Sequence, residues 1–166
     1  LESMRFQAVD EMSQFSFDDS VITELKAAAG GLEITFAGAV VRAGNSQNKR
    51  FQDMPCGEIV LKLEHVRIAR LMKEGMKYYD ADGTLQREIP DEDVPVPAQD
   101  AVLRRLSRGT VFTVVEDPVE HGYACEFGID VPREEDEEEV DTFWLCLTFD
   151  RSTAMWDRYC APEESV

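Results

Sequence analysis

The chain has 166 residues, 43% of them hydrophobic and 31% charged, and thirty-four acids against seventeen bases give a formal net charge of −17. A chain of this length buries roughly 70% of its unfolded surface and needs no disulfide or metal to hold a core. No apolar run approaches the roughly 18–20 residues that cross a bilayer, and the strong negative charge opposes sequence-independent attraction to nucleic-acid phosphates or anionic lipid.

One soluble domain over residues 1–166, without a nucleic-acid or membrane partner, is therefore the expectation. Leu1 to Met12 lacks the basic-then-apolar layout of a signal peptide, and Leu1-Glu2-Ser3 is set aside from fold reasoning. Cys56, Cys125, Cys146 and Cys160 are widely scattered, and Tyr-Ala-Cys-Glu-Phe and Trp-Leu-Cys-Leu are apolar settings in which Cys serves as a small core residue. Free thiols and a cytoplasmic setting follow as expectations.

Residues 1–14 read as a lead-in, with Phe6, Val9 and Met12 at a spacing that suits either a strand or a helical turn. Residues 15–41 carry the clearest pattern, a first hairpin. Val21-Ile22-Thr23-Glu24-Leu25 is rich in β-branched residues, Gly30-Gly31 suits a turn, and Leu32, Ile34 and Phe36 alternate with Glu33 and Thr35. Arg42 to Arg50 is a polar loop rich in Gly, Asn and Ser.

After Pro55, Ile59, Leu61 and Leu63 alternate with charged residues, and Val66 and Ile68 resume the alternation at shifted parity. A slip of one residue across Glu64-His65 predicts a bulge or bend in one long strand, with helix from Val66 as the alternative. Met76 to Gln86 reads as a second hairpin turning at Asp82-Gly83. Residues 90–98 form an acidic, proline-rich connector, and Asp100 to Arg108 a short helix that Asp100 would cap and Gly109 would end.

Thr110 to Glu116, Gly122 to Val131 and Val140 to Phe149 read as three further strands, the first two parted at Asp117-Pro118 and the last two by an acidic loop at 132–139. Trp156 and Tyr159 are expected to pack a C-terminal turn against the body ahead of a frayed end. The predicted fold class is α+β, mainly β: an antiparallel sheet of about seven or eight strands, a sandwich or half-barrel, with one helix.

No complete catalytic or cofactor motif is present. A zinc site wants closely spaced Cys or His pairs, and the chain has none. Asp80-x-Asp82-Gly83 lacks the bidentate acid of a calcium loop, since Ile89 stands where it belongs. Nucleophilic catalysis needs a Ser or Cys held by a His, so His65 and His121 are the residues on which a hydrolase would rest. No metal or other cofactor is expected, and a small-molecule or metal pocket between sheet and helix is the other alternative.

The acids at Asp91, Glu92 and Asp93, and at Glu134, Glu135, Asp136, Glu137, Glu138 and Glu139, are the candidate partner-binding residues. Clustered carboxylates steer a basic protein and speed its association. Tyr78, Tyr79, Phe143 and Trp144 are candidate aromatic anchors.

Phe17-Asp18-Asp19-Ser20-Val21-Ile22, followed by the alternating Leu32 to Gly38, resembles the opening of small bacterial proteins that include immunity proteins of polymorphic-toxin systems. Those open on an aromatic residue, a His-Asp or Asp-Asp pair, a small residue and an Ile, and here Asp18 stands at the His position. The resemblance covers roughly 25 residues and implies a small, non-enzymatic cytoplasmic protein that neutralises a basic toxin. Asx-type turn bonding by Asp19 or Ser20 is the role expected of that pair. Tyr78 to Leu85 is similar to one copy of the tyrosine-aspartate repeat of Rhs-type toxin shells, but a single copy builds no shell.

Overall fold

The computed structural model describes residues 4–160. Leu1-Glu2-Ser3 and the end of the expected frayed C-terminus lie outside them. The first hairpin sets the pattern: β3 (Val21–Ala28) and β4 (Gly31–Ala37) pair antiparallel from Val21↔Ala37 to Ala28↔Gly31. The turn is Ala29-Gly30, with Gly30 at φ +71, so Gly31 already belongs to the strand. Leu32, Ile34 and Phe36 are buried as their alternation requires.

Before the hairpin come β1 (Phe6–Val9), a 3-10 turn at Met12–Gln14 and β2 (Phe15–Ser16), and after it β5 (Val40–Val41) and β6 (Met54–Pro55). Phe15 pairs with Val41, which closes residues 15–41 at their base, and β2, β5 and β6 form a small sheet of their own. The turn into β3 uses Asp19 in a left-handed conformation at φ +68, while the buried Ser20 hydroxyl donates to the Phe17 carbonyl at 2.5 Å. Ser20, and not an Asx bond from Asp19, supplies the side-chain contact. The polar loop that follows β5 is tied down by Asn48, whose amide donates to the carbonyls of Val41, Arg42 and Gln52.

The remaining strands are β7 (Glu58–Glu64), β8 (Arg67–Lys73), β9 (Met76–Tyr79), β10 (Leu85–Ile89), β11 (Glu92–Asp93), β12 (Thr110–Val119), β13 (Gly122–Pro132), β14 (Val140–Phe149) and β15 (Arg151–Trp156). Ten strands form one antiparallel sheet in the order β1-β15-β7-β4-β3-β12-β13-β14-β8-β11. The fold is mainly β as expected, but its sheet is larger than the seven or eight strands read from sequence, and it is not a closed barrel.

Two long strands run through both halves of this sheet. β7 continues into β8 across His65-Val66, β14 continues into β15 across Asp150, and the two pair with each other on both sides of the bend. His65 takes φ +55 there, which is the physical form of the parity slip at Glu64-His65. Its Nδ1 meets Asp150 Oδ2 at 2.8 Å, and the Asp150 amide donates to the Glu64 carbonyl, so the two bends lie side by side.

The inner faces of the halves share one core. Phe36 of β4 stacks on Phe127 of β13 at 6.4 Å and meets Phe17 at 4.7 Å, and one contiguous cluster takes in Ile59, Leu61, Phe143, Leu145 and Trp156. β3 and β12 join the halves at a narrow seam, where Thr110 faces Val21.

Several boundaries differ from the sequence reading. The single α-helix among the described residues, α1 (Val96–Leu106), opens after Pro95 with Pro97 in its first turn, where a missing N–H costs nothing, so Asp100 lies inside it and caps nothing. The connector at 90–98 is accordingly part edge strand, β11, and part helix. Asp117-Pro118 does not break β12, which runs on to Val119 and turns at Glu120-His121. Trp156 ends a strand and not a turn, fully buried against Phe6 and Phe15, while Tyr159 bridges to Cys56.

Candidate functional site

The candidate acids gather at one end of the folded sheet because of strand register. Lys73, the last residue of β8, lies between Glu92 of β11 on one side and Phe143 of β14 on the other. The acidic loop enters β14 a few residues before that point, and the β9–β10 hairpin leaves β8 immediately after it.

Asp141 organises this end. Its residue is 9% exposed, and its carboxylate accepts from Arg105 Nη2 at 2.7 Å and Arg133 Nε at 2.9 Å, with Lys73 Nζ at 3.8 Å. Burial works to raise its pKa, yet the hydrogen bonds from Arg105 and Arg133 and the charges of Lys73 and Arg105 hold it below the ordinary 3.8. Arg105 also lies over the Phe143 ring, 5.4 Å from its centre. The cluster thereby ties α1, β8, β14 and the root of the acidic loop into one unit.

From that root the loop projects outward. The Arg133 amide donates to the Glu139 carbonyl, Asp136 accepts from the amide of Glu138, and Glu134, Glu135, Asp136, Glu137, Glu138 and Glu139 are all exposed. Only Glu137 of these has a cation within ion-pair distance among the described residues, Arg108 at 3.8 Å. The other acidic segment is engaged within the chain: Asp91 accepts from the Gly75 amide and Asp93 from Arg70 Nε, each at 2.7 Å. Glu92 stays exposed on the β11 edge.

Beside the loop stands the β9–β10 hairpin, exposed at every position of both strands. Asp80 builds its turn, with Oδ1 accepting from the amides of Asp82 and Thr84 and Oδ2 from Gln86. A Cβ on Gly75 would fall 1.9 Å from the Ile89 carbonyl, so only glycine lets the two strands meet at the hairpin's root. Tyr79 is 58% exposed and Tyr78 40%, Arg87 lies over the Tyr78 ring, and Met76, Leu85 and Ile89 are exposed with them. The other two candidate anchors fall elsewhere: Phe143 is buried, and Trp144 packs edge-on against Phe112 while its Nε1 donates to Glu74.

The histidines pair with acids. His65 serves the bend, His121 sits in the β12–β13 turn, and among the described residues neither is hydrogen-bonded to a hydroxyl or thiol. Cys56 is buried and its thiol pushed up to about 12 by burial and by the neighbouring Cys160, and Cys125 is raised further by burial, Glu116 and Cys146. No three His, Cys, Asp or Glu side chains converge as a metal-binding group among the described residues.

No protein-family model, curated protein sequence or solved structure matches the chain. No described helix is long and apolar enough to cross a membrane.

The sequence pattern shows an acidic loop, here beginning one residue later because Pro132 ends β13, and a hairpin, but not the Asp141 cluster, because Asp141 closes a run of acids and reads as one more of them. The signal was its parity: Asp141, Phe143, Leu145, Leu147 and Phe149 alternate along β14, and all five face the core.

Proposed function

We propose that this chain is a non-enzymatic acidic docking protein that engages a basic protein. The observation that carries the reading is the pairing of a hairpin exposed at every position, presenting Tyr78, Tyr79, Met76, Leu85 and Ile89, with an exposed and largely unpaired acidic loop at the same end of the sheet. A two-stranded hairpin without a buried face is marginal in water, and exposed aromatics on it have the composition of interface anchors. Carboxylates at Glu92 and Glu134 to Glu139 supply the steering for a cationic surface, and the net charge of −17 extends their field. The resemblance of Phe17 to Ile22 and the strands after it to immunity proteins supports a toxin as that basic partner.

The division of labour is testable. The parent, a variant with Glu134, Glu135, Glu137, Glu138 and Glu139 changed to Gln, and a Tyr78→Ser/Tyr79→Ser variant are used to capture partners from lysate of the source cell, with identification by mass spectrometry. The expected result is one basic protein held by the parent, associating more slowly with the Gln variant and dissociating faster from the Ser variant. Equal capture by all three proteins overturns the reading.

A further inference from the structure

On the other side of the Asp141 cluster lies a cavity of about 360 Å3 between the last turn of α1, the segment after it and the end of β13. Ala101, Val131 and Pro132 supply its apolar wall, and Arg104, Arg105, Ser107, Arg108 and Glu134 its polar groups. Lys73 and Arg133 reach the same Asp141 carboxylate that holds Arg105. In a chain with seventeen cations against thirty-four acids, three arginines line this one cavity, and Lys73 and Arg133 sit beside it on the Asp141 carboxylate.

Ordinary structural roles account for part of this set. Arg104 and Arg105 complement the C-terminal end of the helix dipole, and Arg105 and Arg133 are the partners that a buried Asp141 requires. Three observations go beyond those roles. The charged side chains that line the cavity are three arginines, Arg104, Arg105 and Arg108, against one acid, Glu134. Arg104 has no acid within ion-pair distance among the described residues, and the one acid near Arg108 is the exposed Glu137 at 3.8 Å. Arg108 itself takes φ +89, a left-handed conformation that glycine adopts without cost and arginine does not.

We propose that this cavity binds the phosphate end of a small phosphorylated molecule. Guanidinium groups offer paired N–H donors that match phosphate oxygens, and Arg105, held by Asp141 and over Phe143, loses little freedom in doing so. The Ser107 hydroxyl adds a donor at the rim. The volume falls in the roughly 300–1,000 Å3 range of small-ligand sites. A small anion inside the cavity lies within about one Debye length, ~8 Å, of the arginines and meets Glu134 as the one acid of the lining, whereas a polyanion would run on across the acidic loop and meet the repulsion of the acids beyond it.

The test titrates the full chain with inorganic pyrophosphate by calorimetry at 150 mM salt, beside Arg104→Ala/Arg108→Ala and Glu134→Gln variants. Neither Arg104 nor Arg108 touches Asp141, and circular dichroism with thermal melting verifies that the double variant keeps its fold. Saturable binding by the parent, weakened tenfold or more in the double variant and tightened in Glu134→Gln, is the expected result. Absence of saturable binding by the parent, or equal binding by the folded double variant, overturns the proposal. A single-stranded oligonucleotide or a hexaglutamate peptide that binds more tightly than pyrophosphate overturns it as well, in favour of a nucleic acid or an acidic protein segment. The Tyr78→Ser/Tyr79→Ser hairpin variant keeps pyrophosphate binding, so loss of the docking reading and loss of this one are distinguishable.

Discussion

Replacing Phe36 by Ala tests whether the two halves of the sheet fold as one body. Phe36 is fully buried on β4, its ring 4.7 Å from Phe17 and 6.4 Å from Phe127 of the opposite half. Truncating a buried Phe to Ala costs about 3–5 kcal/mol, since the packing around the vacated ring relaxes only in part. For a chain of this size each kcal/mol moves the midpoint by ~2–4 °C, so Tm falls by roughly 6–20 °C. The two tryptophans report on separate halves, Trp156 on β15 and Trp144 on β14. Phe36→Ala is therefore made in a Trp144→Phe and in a Trp156→Phe background, and each is melted by fluorescence against its own parent. One shared core requires the same shift from both reporters. A shift seen by Trp156 while Trp144 melts as before refutes the reasoning and makes the halves separate cooperative units.

Asp141→Asn lowers Tm at pH 7, because Lys73, Arg105 and Arg133 lose their common counter-charge. The folded pKa of Asp141 lies below its ordinary 3.8, so its contribution is fully present above that value and is lost as pH falls through the folded pKa; the gap between parent and variant closes below pH 3.8 in a pH series of thermal melts. In the native protein Cys56 and Cys125 resist iodoacetamide at pH 8, because both are buried and burial raises both thiols, and they label fully in denaturant; mass spectrometry of the alkylated peptides reads the difference.

Much of this protein is written in local pattern. Alternation at Leu32, Ile34 and Phe36 requires a strand with one wet face, Gly30 requires a turn, and Asp80 closes the turn of a second hairpin by bonds to its own neighbours. Even the bend at His65 was legible, as a slip in the period of two that no straight strand tolerates. The start of α1 was hidden because prolines in its first turn read as a connector, and Asp117-Pro118 looked like a break although an extended strand accepts proline where its N–H is not needed.

Tertiary structure alone decided which charges are free. Composition counts Asp91, Asp93, Asp141 and Glu134 to Glu139 alike, but pairing of β8 with β11 and β14 commits the first three to Gly75, Arg70 and an arginine pair, and leaves the loop to solvent. The same pairing brings Lys73, Arg105 and Arg133, which lie 28 to 60 positions apart in the chain, to one carboxylate. An ion pair across such separations leaves no periodicity to read, since charge interacts through space and not along sequence. The chain therefore states most of its strands and turns in local pattern, while its exposed hairpin-and-loop end and its arginine-lined cavity exist only where the folded sheet brings distant segments together.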